Sequence, residues 1–237
     1  MISVIIPTLD AEMGLAETLG ALVSAAVDGL IREVIIIDGG SADRTAAIAD
    51  DAGATFIVRT GGRGHQLAAG ARRAKFSWLL FLHADTVLER GWEREAAGFM
   101  AAVDAGKRTL GAAAFRFGLD DTGARARMLE RLVALRCALF RLPYGDQGLL
   151  IPRLLYDQIG GFSPHPVMED VDIVRRLKRR RLSMLRSRAV TDARKFSEVG
   201  YLRRSASNLS CLSLYFMGIS TGRIDRIYSR RAGINSP

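Results

Sequence analysis

Residues 33–40 read Glu33-Val34-Ile35-Ile36-Ile37-Asp38-Gly39-Gly40, an apolar run that ends in a carboxylate and two glycines. A run that is apolar at every position, rather than at every second one, is typical of a strand buried on both faces of a parallel sheet. The two glycines let the backbone approach a ligand closely. This stretch therefore predicts a parallel strand with a binding loop at its carboxyl end.

Strands and helices alternate along the first half of the chain. In addition to the strand at 33–37, we predict strands at Ser3 to Ile6, Thr55 to Val58 and Trp78 to Leu82. Helical spacing of apolar residues predicts helices over 14–27, 42–51 and 66–75. This alternation is typical of an α/β fold with a doubly wound, mainly parallel sheet flanked by helices.

The second half is less regular. Its patterns predict strands over 111–117 and 148–151, and helices over 92–103, 124–140, 171–181 and 199–217. A short helix is expected to end at Gly160-Gly161. We predict one large domain over residues 1–200 and a helical C-terminal extension over 201–237 that packs on it.

The composition is that of an ordinary globular protein with an excess of basic residues. The chain has 237 residues, of which 49% are hydrophobic and 25% charged, and this length can bury a full core. The net charge of +9 favours anionic partners, although a basic protein without such a partner fits the same number. The basic clusters lie in the second half, over 175–181 and 223–231.

Three features bear on the cellular location. No apolar run is long enough to span a bilayer. The N-terminal residues lack the basic region of a signal peptide, so we interpret them as the first strand. Cys137 and Cys211 are far apart and have no paired spacing, which indicates neither a zinc site nor a disulfide framework. We therefore expect two buried thiols in a cytoplasmic protein.

Polar or glycine-rich segments follow each of the first four strands. They are Pro7-Thr8-Leu9-Asp10, the segment 38–45, Gly61-Gly62-Arg63-Gly64 and His83-Ala84-Asp85-Thr86. Because ligands bind at the carboxyl ends of the strands in such sheets, we expect these segments to converge on one edge.

The residue types in these segments suit a nucleoside diphosphate. Asp38 can accept a hydrogen bond from a uracil N–H or from ribose hydroxyls. Arg63 is placed to reach a phosphate, or else it is a solvated loop arginine. Ser41 and Asp43 either bind the ligand or cap the next helix. The first strand is not followed by G-x-G-x-x-G, so a nicotinamide or flavin enzyme is not expected.

His83-Ala84-Asp85 is the candidate metal segment. A carboxylate at the end of a buried strand suits Mg²⁺ or Mn²⁺, which would also hold a diphosphate. His83 is either a second metal ligand or a group that orients Asp85. The second role is considered because hard cations prefer oxygen ligands to nitrogen.

Two further polar segments are candidates for the acceptor side and the chemistry. Glu169 and Asp170 open a helix, where carboxylates either stabilise the helix dipole or include a general base. Asp146 and Gln147 lie in a polar turn before a strand. That turn either lines an acceptor site or is a plain turn.

These motifs, in order and with their spacing, resemble one enzyme family. The matching pieces are Val4 to Thr8, Ile36 to Thr45, Leu82 to Asp85 and Met168 to Asp172. Over roughly the first 180 residues, the chain resembles the inverting glycosyltransferases of family 2, which have the GT-A fold. It is most similar to a bacterial subgroup with Gly-Arg-Gly-x-Gln (62–66), Gly-Asp-Gln-Gly (145–148) and Arg-Lys-aromatic (194–196) elements.

The resemblance implies a nucleotide-sugar donor, with a UDP-sugar favoured, and an acceptor that it does not identify. Asp38 would bind the base or ribose, Asp85 would hold the metal and diphosphate, and Asp170 would be the catalytic base beside Glu169. The donor side would comprise Pro7, Thr8, Asp10, Asp38, Gly39, Gly40, Ser41, Arg63, Gln66, Ala84 and Arg194. The acidic residue that the family has after the first strand is either Asp10 or Glu12. His83 stands where the family has the first carboxylate of Asp-x-Asp, so the sequence departs from the family there.

Two other functions compete with this interpretation. A nucleotidyltransferase would use a similar sheet, but it usually carries a glycine-rich basic loop where Pro7 to Asp10 stand. A non-catalytic protein at a membrane surface, such as the inner membrane face, would use the apolar stretch 209–219. That stretch also suits a core helix or a homodimer contact. We expect no nucleic-acid partner.

Overall fold

The computed structural model describes residues 1–194 and 201–232. Its sheet has eight strands in the order β3-β2-β1-β4-β7-β6-β8-β5. The strands are β1 (Ile2–Thr8), β2 (Ile31–Asp38), β3 (Thr55–Val58), β4 (Trp78–Phe81), β5 (Thr86–Leu88), β6 (Ala112–Leu119), β7 (Leu149–Pro152) and β8 (Leu182–Thr191).

Helices cover the sheet and extend the chain. In the described residues they are α1 (Glu12–Gly20), α2 (Val23–Val27), α3 (Thr45–Asp51), α4 (Arg63–Arg73), α5 (Trp92–Asp104), α6 (Ala124–Phe140), α7 (Arg153–Gln158), α8 (Glu169–Leu177), α9 (Tyr201–Phe216) and α10 (Thr221–Ala232). Short 3-10 helices lie at Gly145–Gln147 and Arg179–Arg181.

The strand directions bring distant segments to one edge of the sheet. β1 to β4 are parallel, as predicted, and β6 and β8 run the same way because β7 between β4 and β6 is antiparallel to both. β5 is antiparallel to β8. The carboxyl ends of β1, β2, β4 and β8 therefore share an edge with the amino ends of β5 and β7. Segments that precede one strand thus meet segments that follow another.

The core has one layer on each face of the sheet and a smaller third cluster between β6 and α6. Ile2, Val4 and Ile6 point to a cluster shared with α1, α2 and α5. Ile5 lies on the opposite face, in a cluster shared with α4, α7 and α8. Alternate residues of one buried strand therefore serve both layers, which explains why the strand is apolar throughout.

The helix predicted over 171–181 is wrong in its second half. α8 ends at Leu177, and Lys178 adopts a left-handed conformation with φ of 62°. β8 begins at Leu182, and together with β5 it was not predicted. The prediction failed because the basic residues from 175 to 181 have the pattern of a solvated helix face. The strand β8 is stabilised by pairing with β6 and β5, which are distant in sequence and leave no local signal.

The helix predicted over 14–27 is also wrong, because it is two helices separated at residues 21–22. The first ends at Gly20, a residue of low helix propensity. The helix predicted over 42–51 begins at Thr45, and the one predicted over 66–75 begins earlier, at Arg63. By contrast, α6 has the predicted bounds.

α9 packs against α8. The hydroxyl of Tyr215 donates to Asp172 Oδ1 at 3.4 Å, and the Arg175 guanidinium lies 5.0 Å from the ring centre of Phe216. Cys137 and Cys211 are both buried, as predicted. In the described part of the chain, no helix combines the length and apolar character needed to cross a bilayer. Lys195 and Phe196, part of the predicted basic–aromatic element, lie outside the described residues.

Candidate active site

Asp38 braces the loop after β2. Its side chain is buried, and its Oδ1 accepts hydrogen bonds from Thr8 Oγ1 at 2.8 Å and Ser41 Oγ at 2.5 Å. Its Oδ2 accepts the backbone N–H groups of Gly40 at 2.9 Å and Ser41 at 2.7 Å. Burial raises the pKa of Asp38, but these hydrogen bonds outweigh burial and hold the pKa below its usual value. Since a carboxylate offers about four acceptor positions, the protein itself saturates Asp38, and its contact with a nucleotide stays a prediction.

The loops after β1 and β2 are locked together. The backbone N–H of Asp10 donates to Ser41 Oγ at 2.8 Å, and Asp10 Oδ1 accepts the N–H of Ala42 at 3.0 Å. The N–H of Glu12 donates to Asp43 Oδ2 at 2.9 Å. Ser41 and Asp43 thus join the two strand ends, in the region predicted to hold the donor. The convergence predicted for these two segments is present.

Gln66 joins the same strand ends from the side of α4. Its buried amide Nε2 donates to the carbonyl oxygens of Thr8 and Ile37, both at 2.9 Å. Thr8 O also accepts the N–H of Gly39 at 2.8 Å. The geometry makes Gln66 a structural clamp beneath the loops, and its predicted contact with a donor remains untested.

Arg63 links the third and fourth strand-end segments to α8. It is the first residue of α4, and its Nη1 donates to His83 Nε2 at 2.7 Å while its Nε lies 2.8 Å from Glu169 Oε1. The Arg63 side chain is 41% exposed, whereas that of Glu169 is 2% exposed. Because guanidinium only donates, His83 Nε2 is the acceptor in this bond. Arg63 is therefore an element of the site with one side still open to solvent.

Gly64 allows this arrangement because α4 touches the segment before α8. A Cβ atom at Gly64 would lie 2.4 Å from Ser163 O and 2.6 Å from His165 O. Only a residue without a side chain lets the two backbones come this close. Gly64 therefore lets the start of α4, which carries Arg63, lie against the segment that leads into α8, which carries Glu169.

Glu169 is a buried carboxyl with one unsatisfied oxygen. Its Oε2 is inaccessible to solvent and has no hydrogen-bond partner. Burial raises the pKa of Glu169 to about 7; Arg63 opposes this increase and the neighbouring Asp170 adds to it. Glu169 also lines a cavity of about 30 Å³ together with His83, Gly145 and Asp170. Such a cavity has room for a water molecule.

Asp170 is held by two backbone groups. Its Oδ2 accepts the N–H of Gly145 at 2.7 Å, and its Oδ1 accepts the N–H of Val171 at 2.7 Å. A Cβ atom at Gly145 would lie 2.6 Å from His83 Nε2 and 3.5 Å from Asp170 Oδ2. The turn before β7 is therefore wedged between the segment after β4 and the start of α8. The antiparallel direction of β7 causes this contact.

Asp146 adds a further carboxyl to this group. Its Oδ1 is buried without a hydrogen-bond partner. Burial raises its pKa to about 6; Arg136 opposes the increase, whereas the charges of Asp170 and Asp85 add to it. Perturbed carboxyls that share a cleft are typical of functional sites.

Gln147 faces the interior behind Asp146. It is buried, its Nε2 donates to Phe115 O at 2.9 Å, and its Oε1 accepts Nη2 of Arg136 at 3.2 Å. Arg136 also stacks over the ring of Tyr144, 3.5 Å from its centre. Gln147 thus supports the turn, and its predicted contact with an acceptor stays a prediction.

Asp85 meets the end of β8. Asp192 follows β8, and its N–H donates to the backbone oxygen of Asp85 at 3.3 Å. A hydrogen bond from Arg194 lowers the pKa of Asp192, and the charge of Asp85 opposes that effect. Arg194 is bonded to Asp192 through Nε at 2.6 Å. Arg194, a predicted donor-binding residue, therefore lies at the edge of the sheet that carries Asp85.

The remaining predicted donor residues surround this edge. Pro7 is buried in β1, opposite Ile37 of β2. The carbonyl of Ala84 accepts the hydroxyl of Thr18 in α1 at 3.0 Å. A Cβ atom at Gly14 would lie 3.1 Å from Asp85 Cα, so α1 closes the site from this side.

The described residues fit a shared metal site better than an all-protein cage. No three His, Cys, Asp or Glu side chains in the described part of the chain are grouped so as to hold a metal ion. Mg²⁺ usually binds one or two carboxylates together with substrate phosphates and water, and Asp85 suits that mode. His83 Nε2 accepts from the Arg63 guanidinium, whose charge would repel a cation. The role of His83 as a ligand stays a prediction.

Sequence reasoning missed two residues of the site region and one apolar surface. Asp192 directly follows β8, a strand that was not predicted. Arg136 lies in the middle of α6, and no local pattern indicates that it would reach Tyr144. The exposed apolar side of α6 was also missed. A search for a carboxylate at the end of a second-half strand would have found only the first of these.

The same fold occurs in solved structures of low sequence identity. Staphylococcus aureus TarS, in complex with UDP-GlcNAc, is 17% identical with a TM-score of 0.60, and the match covers 80% of this chain and 58% of that one. A mycobacterial protein is 20% identical with a TM-score of 0.56, over 81% of this chain and 65% of that one. This chain therefore spans less than two thirds of either protein.

A third neighbour is matched along the whole length of this chain. Glucosyl-3-phosphoglycerate synthase from Mycobacterium tuberculosis, in complex with Mg²⁺ and UDP, is 19% identical with a TM-score of 0.62, over 100% of this chain and 80% of that one. The same enzyme is also known in complex with Mn²⁺ and UDP-glucose. At these identities the likeness concerns the fold.

Two sequence comparisons complete these findings. No curated protein matches the chain. A family model described as glycosyl transferase family 2 matches residues 3–134, more than half of the chain. The matched region contains β1 to β6, the strand-end loops and the His83 to Asp85 segment. The chain belongs to glycosyl transferase family 2.

Proposed function

We propose that this protein transfers a sugar from a nucleoside diphosphate donor, with UDP favoured, to an acceptor hydroxyl with inversion at the anomeric carbon. One observation carries the proposal. Three carboxylate-bearing segments, around Asp85, Asp146 and Glu169-Asp170, meet beside Arg63 at the carboxyl edge of the parallel strands. Family membership supports glycosyl transfer, and this edge is where α/β sheets bind ligands. A cytoplasmic location is part of the proposal.

The donor is proposed to lie over the loops after β1 and β2. The hydrogen bonds of Asp38 and Gln66 hold these loops rigidly, so the site is preorganised before the donor binds. The partly exposed guanidinium of Arg63 is a candidate to contact the diphosphate, and Arg194 is a second one. The solved neighbours that bind UDP or UDP-sugars share this fold, which is consistent with the proposed donor.

Asp170 is proposed as the catalytic base. Its two backbone hydrogen bonds fix the direction of the carboxylate. In the proposed step, Asp170 takes the proton of the acceptor hydroxyl and the freed oxygen bonds to the anomeric carbon. The bond between that carbon and the diphosphate oxygen breaks on the opposite side. The nucleoside diphosphate leaves with the electron pair, so atoms and charges balance.

Asp85 would hold a divalent cation, Mg²⁺ or Mn²⁺, together with the diphosphate. When bound, the cation supplies positive charge that stabilises the departing diphosphate. Arg63 and Arg194 would add positive charge from the protein itself. The neighbouring synthase is known with both cations, which supports the choice.

The test uses Asp170→Asn with UDP-glucose as the donor probe. We expect the variant to bind UDP within about twofold of the wild type. Its hydrolysis of UDP-glucose, in which water takes the place of the acceptor and UDP is released, should fall by about 10²- to 10⁴-fold, the usual contribution of a general base. Isothermal titration measures the first quantity and a coupled UDP assay the second. Asp157→Asn, at an exposed site on α7, is the matched control and should leave both unchanged.

Two results would contradict the proposal separately. A wild-type rate in Asp170→Asn would show that another group is the base. Failure of the wild type to bind any nucleoside diphosphate, in a thermal-shift screen with Mg²⁺ and Mn²⁺, would remove the donor assignment, because a ligand of the folded state raises the unfolding midpoint.

A further inference from the structure

A large groove lies beside the candidate active site, between α6, α8 and α9. Its volume is about 860 Å³, and most of the residues that line it are apolar. One wall is a stripe of leucines on α6, formed by Leu132, Leu135 and Leu139, which are 54%, 54% and 52% exposed. On most surface helices the apolar stripe faces the core, whereas the described residues leave this stripe exposed as an apolar surface.

Five of the described residues that line the groove are basic, and we call them its basic rim. Arg136, Arg141, Arg175, Lys178 and Arg179 line it, whereas Asp146 is the only acidic residue that does so among the described residues. An apolar groove with a rim of cations is complementary to a molecule that has a hydrocarbon chain and an anionic group. It is not complementary to a second copy of the same face, which would bring like charges together.

The groove borders the candidate site. Tyr144 and Asp146 are among the residues that line it, and Tyr144 also lines the small cavity beside Asp170. Gly145, between them, donates its backbone N–H to Asp170, the proposed base. A molecule whose chain lies along α6 would therefore present its polar end to the side of the site where the acceptor is expected.

Resting on the proposed function, we propose that the acceptor is an anionic amphiphile, with one long hydrocarbon chain in the α6–α9 groove, an anionic group on its basic rim, and the acceptor hydroxyl directed to Asp170. The groove volume lies within the usual range for sites that bind a ligand of this size. If the chain lies on the apolar wall, binding affinity should depend on chain length. If the anionic group lies on the basic rim, affinity should also depend on the charge of the ligand, and both dependences can be measured.

The test compares three matched probes by isothermal titration below the critical micelle concentration, in the presence of UDP. Lauroyl lysophosphatidic acid has the chain, the phosphate and a free hydroxyl; glycerol phosphate lacks the chain; glycerol monolaurate lacks the phosphate. We expect the first to bind at least about tenfold more tightly than either of the others. Replacing lauroyl by octanoyl should weaken binding by up to roughly fourfold per methylene removed.

Two pairs of variants assign the binding to the groove. Leu135→Ser should weaken binding of lauroyl lysophosphatidic acid about tenfold, and Met128→Ser, an exposed apolar residue of α6 that does not line the groove, should leave it unchanged. Arg175→Gln should weaken it about threefold or more, and Arg180→Gln, exposed but outside the lining, should not. All four positions are exposed, so each variant is expected to fold.

Several results would overturn the inference. One is equal affinity for the three probes, and another is unchanged affinity in both Leu135→Ser and Arg175→Gln. If the protein does not bind the monomeric probe but forms a dimer that depends on Leu135, the groove is a contact with a second copy. If instead it floats with anionic vesicles in a way that depends on Leu135, the groove binds a membrane. Wild-type protein that binds UDP but no amphiphile refutes only this inference, whereas protein that binds no nucleoside diphosphate refutes the proposed function.

Discussion

Replacement of Glu169 by glutamine should make the protein's stability less sensitive to pH. Burial raises the pKa of Glu169 from its ordinary 4.5 to about 7, and its Oε2 has no hydrogen-bond partner. Each pKa unit corresponds to about 1.36 kcal/mol, so keeping this carboxyl ionised in the folded protein costs about 3 kcal/mol. Glutamine has nearly the same shape and never ionises.

The sign of the effect follows from proton linkage. Between pH 4.5 and about 7 the folded protein keeps the proton on Glu169 while the unfolded chain loses it. The free energy of unfolding therefore decreases as pH rises through this window. Above the window, the contribution of Glu169 to the free energy of unfolding is constant. Relative to the wild type, Glu169→Gln should gain about 3 kcal/mol of stability between pH 4.5 and pH 8.

The assay is urea unfolding of both proteins at pH values on either side of the window. Comparing the two at each pH removes the contribution of Asp146, which titrates in both. Val27→Gln, at an exposed position of α2, adds and removes no ionisable group, so it is the control and its difference from wild type should not vary with pH. If the difference between Glu169→Gln and wild type varies by less than about 1 kcal/mol, the burial argument for Glu169 is refuted.

Two further predictions concern the scaffold. Gly145→Ala should lower the unfolding midpoint, with a cost of about 1–3 kcal/mol, because its Cβ would lie 2.6 Å from His83 Nε2. Thermal unfolding measures this change. If the double variant with His83→Ala does not recover stability, the clash is not the cause. Gln66→Leu should lose about 2 kcal/mol in urea unfolding, since the carbonyl oxygens of Thr8 and Ile37 each lose one hydrogen bond. Gln158→Leu, at an exposed position, is its control, and equal losses in the two would refute the clamp.

Much of the first half was predictable because its signals are local. The apolar run before Asp38 indicates a doubly buried strand, and Asp38 and its two glycines indicate the loop. The register of β1 against β2 then places Thr8 opposite Asp38, as the convergence of strand ends requires. The bounds of α6 were also predictable, because helical periodicity is continuous over that segment.

The partners of the polar residues were not predictable. Arg63 was expected to reach a phosphate, and nothing near it in the sequence indicates a bond to Glu169. Gln66 is predicted to contact the donor and Gln147 the acceptor; both side chains are buried beneath the loops, and the two ligand contacts stay predictions. A polar side chain in a motif has the same local signature whether it contacts a ligand or braces the backbone that does.

By itself, the sequence determined the parallel block of strands, the loops at their ends and the membership of glycosyl transferase family 2, because these depend on periodicity and on residues close together in the chain. The tertiary structure decided what surrounds the site. The reversed direction of β7 brings Gly145 to Asp170, and that of β5 brings Asp85 to Asp192. It also decided that the leucine stripe of α6 faces a groove rather than the core. These contacts join residues far apart in sequence, and their energies depend on burial that exists only in the folded chain.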